Sequence, residues 1–136
     1  MMISENEMGM NDERIRERII EYSSEGRLPC KRALDAAEAL CVDPAAIGRH
    51  ADELGIKLVA CQLGLFGYRP EKKVVKPAAH VSPVLAAAIR ERIIHERLPC
   101  RAAFSIAREM GMDIMDVSSA CEALGVFIKP CQLGAF

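Results

Sequence analysis

The chain has 136 residues, 51% of them apolar, 27% charged and 4% aromatic, with no tryptophan and a formal net charge of −1. This length suits one compact domain or two of about 60 residues each and excludes a large multidomain enzyme, while the apolar content excludes disorder throughout. The charge lacks the positive excess with which non-specific nucleic-acid binders displace counterions, so any DNA binding must rest on local charge.

Residues 1–12 carry a net −3 and are read as a disordered N-terminal segment. This acidic start has neither the basic nor the apolar part of a signal peptide, and no apolar run approaches the roughly 18 residues of a membrane span. A cytoplasmic protein without a membrane partner is expected. From residue 13, Ile15, Ile19, Ile20 and Tyr22 recur at helical spacing, with Gly26 as the stop. Pro29 opens a second helix whose apolar set is Ala33, Ala36, Ala37 and Leu40. Asp43 followed by Pro44 is a cap and first-turn signal for a third helix over 44–54, ended by Gly55. The segment IKLVA then predicts a short strand, and CQLG at 61–64 a turn. Residues 13–67 form the first unit.

Residues 68–82 hold Pro70 and Pro77, with Arg69, Lys72, Lys73 and Lys76 against a single Glu71, and read as a basic linker of net +3. Residues 83–136 then repeat the first pattern. Ser82 and Pro83 start a helix through Leu85, Ile89, Ile93 and Ile94, Pro99 opens another through Ala103, Ile106, Ala107 and Met110, and Asp113 starts a third that ends at Gly125. VFIKP is the matching strand.

The repetition is a duplication. Residues 28–66 align without a gap on 98–136, an offset of 70, with LPC, LG and CQLG all returning. IRERII at 15–20 recurs at 89–94, an offset of 74, which predicts four extra residues in the Tyr22–Gly26 turn of the first copy. The expected fold is therefore mostly α: two tandem units of three helices and one short strand each, with approximate internal twofold symmetry.

A short break between the second and third helices, with small Ala107, turn Gly111, apolar Val117 and buried Ala120, resembles the helix-turn-helix superfamily, particularly its winged members. Ala37, Cys41, Ile47 and His50 occupy the same places in the first copy, where cysteine stands for the turn glycine and histidine for the apolar residue. The resemblance implies a DNA-binding transcriptional regulator acting on double-stranded DNA, as a monomer or homodimer, with each third helix in a major groove. Outward positions would be Pro44, Ala45, Gly48, Arg49 and Asp52 in one copy, and Ile114, Met115, Ser118, Ser119 and Glu122 in the other. Of these, Ala45, Gly48, Arg49, Ser118 and Ser119 are the candidate base-facing residues, with Lys31, Arg32, Arg101, Lys72 and Lys73 as phosphate contacts. Because the second face has no basic group, the alternative is a protein-interaction module, docking through that helix, with thiol-dependent metal or redox sensing.

Six cysteines show no CxxC spacing, so their symmetry is the only clue. Cys30 and Cys100 begin the second helices, and each has a partner 31 residues on, in Cys61 and Cys131. Two disulfides, one shared four-thiolate metal site, or separate apolar packing all fit that spacing. A metal at these thiols is the one cofactor considered. Cys41 and Cys121 lack counterparts and read as core, as does His50. With no phosphate loop, nucleophile elbow or acid pair, no enzymatic activity is expected.

Overall fold

The computed structural model describes residues 5–68 and 73–135, with side chains from residue 12 onward. The chain is mostly helical: among the described residues there are six helices and four strands of two or three residues. In the first copy α1 (Glu5–Tyr22), β1 (Arg27–Pro29), α2 (Cys30–Leu40), α3 (Pro44–Glu53) and β2 (Lys57–Val59) follow one another. The second copy repeats them as α4 (Pro83–Glu91), β3 (Arg97–Leu98), α5 (Cys100–Met110), α6 (Ile114–Leu124) and β4 (Phe127–Ile128). No described helix is long and apolar enough to cross a membrane.

Local chemistry accounts for several helix ends. The Asp43 side chain accepts the Ala45 N–H at 3.0 Å and Ser82 Oγ accepts that of Leu85 at 3.2 Å, each with proline in the first helical position. Both second helices end in a left-handed residue, Cys41 at φ 55° and Gly111 at φ 61°. The cysteine thus adopts the conformation that glycine takes in the other copy, against the usual steric preference of an L-residue.

Three expectations need correction. The N-terminal segment is not disordered over its whole length, because α1 already begins at Glu5, and Asp12 is tied to His50 Nε2 on α3 at 3.3 Å. The first copy has no four-residue insertion: Ser24 and Arg27 exchange backbone hydrogen bonds in the first turn, as Ile94 and Arg97 do in the second. Positive φ falls on Glu25 and Gly26 in one turn and on His95 and Glu96 in the other. The offset is therefore 70 throughout, and Ile15 and Ile19 take the places of Leu85 and Ile89, all of them buried. Matching IRERII slips the helix by one turn, which a 3.6-residue period tolerates because residues four apart share a face. The sequence reading also missed β1 and β3. They pair in parallel with β2 and β4, Leu28 opposite Leu58 and Leu98 opposite Ile128.

The two cores are completed reciprocally. The first is built from Ile15, Ile19, Leu28, Ala36 and Ile47, and the residues that close it are Cys131 and Leu133 from the far end of the chain. The second is built from Leu85, Ile89, Leu98, Ile106 and Val117, and is closed by Cys61 and Leu63. Each CQLG segment thus leaves its own copy and packs into the other.

The segment joining the copies is also packed. Val75 is buried, the N–H groups of Val74 and Val75 donate to the Gly64 carbonyl, and Ala78 donates to the Ser119 carbonyl at 3.0 Å. It lies along α6 instead of spanning freely between two modules.

Candidate thiol site and helix faces

Parallel pairing of β1 with β2 and β3 with β4 sets the start of each second helix beside the end of its strand. The Cys100 N–H donates to the Pro130 carbonyl at 3.0 Å, one residue before Cys131. In the first copy Pro29 pairs with Val59, so Cys30 and Cys61 approach in the same way. Because each tail then enters the other core, Cys30, Cys61, Cys100 and Cys131 are brought together from both copies. All four are free thiols and buried.

Burial dominates their electrostatics. It pushes the Cys30 thiol up to about 11, opposed by the Gln62 backbone amide and assisted by Cys61 and Cys131. Cys100 is pushed up to about 12, again chiefly by burial, with the Gln132 amide opposing and Cys131 and Cys30 assisting. Cys61 is raised by burial against the amides of Leu65, Leu63 and Phe66, with Cys131 adding to the rise. Cys30, Cys61 and Cys100 therefore each feel at least one thiol of the other copy. At neutral pH Cys30, Cys61 and Cys100 are protonated and poor nucleophiles. Among the described residues, no three His, Cys, Asp or Glu side chains are placed to hold a metal ion as they stand.

The glutamines of CQLG, left without a chemical role in the sequence, lie on this cluster. Gln132 Nε2 is 3.9 Å from the Cys100 sulfur, and Gln62 bonds Cys30 through both its backbone and its side chain. Their exact repetition beside the repeated cysteines was the available signal. Both also floor a cleft of about 640 Å³ flanked by the matched pairs Lys31 with Arg101 and Leu34 with Phe104.

The helix faces expected to meet DNA differ between the copies. On α3, Ala45 and Arg49 are exposed, and Arg49 makes no hydrogen bond or ion pair among the described residues. Gly48 does not face outward: it is buried, and a Cβ built there would lie 1.8 Å from the Leu133 carbonyl oxygen. On α6, Ser118 is fully buried and its hydroxyl donates to the Leu63 carbonyl at 2.6 Å. Ser119 is half-buried beneath Ala78, the Met115 thioether fills the space at Gly64, and Lys73 pairs with Glu122. The second face, expected to be free for DNA or a protein partner, is thus occupied by the chain's own tail and joining segment.

The remaining cations are scattered. Lys31 pairs with Asp35 at 3.1 Å, the Arg32 guanidinium lies 4.0 Å over the Tyr22 ring, and Arg101 is exposed. Lys72 lies outside the described residues.

Comparison with family models, with curated proteins and with solved structures gives no match.

Proposed function

We propose that the protein is a thiol-dependent metal sensor built on two helix-turn-helix modules, with Cys30, Cys61, Cys100 and Cys131 as ligands of one thiophilic ion. The observation that carries this reading is the reciprocal tail exchange, which assembles one repeated pair of cysteines from each copy. An ion bound there would link both modules, so its occupancy would govern how firmly they are held together. Four thiolates suit zinc-like ions, with metal–sulfur distances of about 2.3 Å. The amides of Gln62 and Gln132 directed at Cys30 and Cys100 support the reading as the outer hydrogen bonds that thiolate ligands use. Binding requires the cysteine side chains to rotate toward one another and to lose protons. Uptake should therefore release protons and weaken in acid.

The test is metal content by mass spectrometry on protein purified under reducing conditions, loaded separately with zinc and ferrous iron and freed of excess. One ion per chain is expected for one of them, and its loss in the Cys30→Ser/Cys100→Ser variant. Retention of neither ion rejects the assignment.

Arg49 favours a second reading, DNA binding through α3 alone. Its guanidinium is exposed and unpartnered among the described residues beside small Ala45, which allows close approach to a groove. Weak, salt-sensitive duplex binding is then expected, with Arg49→Ala costing about 1–3 kcal/mol if it reads a base edge. Unchanged affinity in that variant removes this reading.

A further inference from the structure

We infer that the pocket between the β3 turn and the end of β4 binds a small organic anion with an aromatic body. Its volume is about 570 Å³, within the range of small-molecule sites. Ile94, Pro99 and Pro130 form apolar walls, and Arg97, Arg101 and Lys129 supply three cations. No acidic residue lines it, although Glu96 is the chain neighbour of Arg97. None of the three cations takes part in an ion pair among the described residues, in contrast to Lys31, Lys73 and Arg92, which are paired elsewhere. Uncompensated positive charge gathered around an apolar hollow is matched by a ligand with the opposite charge on an apolar frame.

The two prolines favour a flat frame for that ligand: an aromatic ring seated between Pro99 and Pro130, with its carboxylate toward Arg97 and Lys129, would fill the hollow.

The experiment titrates the full chain with 2-naphthoate and with its neutral amide, 2-naphthamide. Naphthalene fluorescence reads binding without tryptophan background, since the chain has none. Naphthoate should bind roughly tenfold more tightly than the amide. The exposed double substitution Arg97→Ala/Lys129→Ala should bring naphthoate down to the affinity of the amide while the circular dichroism spectrum stays unchanged. Equal affinities of the two probes, an unaltered naphthoate affinity in the double variant, or no binding at millimolar concentration would each overturn the assignment.

Discussion

Gly48→Ala is expected to destabilise the protein by about 3 kcal/mol, the opposite sign to the gain of roughly 1 kcal/mol that this exchange brings to an ordinary helix interior. Gly48 sits within α3, where alanine would normally favour the helix. The added Cβ, however, would lie 1.8 Å from the Leu133 carbonyl oxygen, and that neighbour is backbone. No side-chain rotation relieves the contact. The second tail has to move, and with it Leu133 and Cys131, which close the first core. At the matching position of the other copy, Ser118 already carries a Cβ and uses its hydroxyl to bond the Leu63 carbonyl. Ser118→Ala therefore loses one buried hydrogen bond and leaves that carbonyl short of a donor, for about 1 kcal/mol. Denaturant midpoints of the two variants measure the contrast. A neutral or stabilising Gly48→Ala would falsify the packing of the tail on α3.

Much of the helical layout was legible because it is locally encoded. Asp43 and Ser82 each carry their own cap, and Pro29 and Pro99 their own boundary. The parallel strand pairs were not legible because β1 and β3, with three and two residues, are too short for an alternating pattern to emerge. The helix register was misread for a different reason: IRERII matches itself one turn away without changing the buried face. Convergence of the thiols was half-visible. Equal spacing marked Cys30 with Cys61 and Cys100 with Cys131 as pairs, but nothing local indicates that the pairs meet.

The tail exchange was the least accessible feature. Both tails read CQLG, so either could fill either core on composition alone. What distinguishes the two outcomes is where the strands aim the chain, and that depends on tertiary geometry. Gly48 and Ser118 illustrate the consequence. As outward residues of a third helix they suit contact with DNA, whereas a tail from the other copy makes them buried packing residues. Removing both from the candidate DNA contacts leaves Arg49 as the chief basic group on either third helix.

Leu133→Ala should loosen the copy to which it does not belong. Leu133 is 3% exposed and Leu63 is fully buried, so truncating either should lower stability by about 2–5 kcal/mol through lost burial and the cavity left behind. The distinctive readout is its location. Leu133 belongs in sequence to the second copy but packs with Ile15, Ile19 and Ile47 of the first, so Leu133→Ala should raise native-state hydrogen exchange most in α1, α2 and α3. Leu63→Ala should do the converse, raising exchange in α4, α5 and α6, because Leu63 packs with Leu85, Ile89 and Val117. If each tail instead closed its own copy, the two patterns would be interchanged. Exchange mapped by mass spectrometry on the two variants separates these outcomes, because the helices that soften identify the core each leucine had filled.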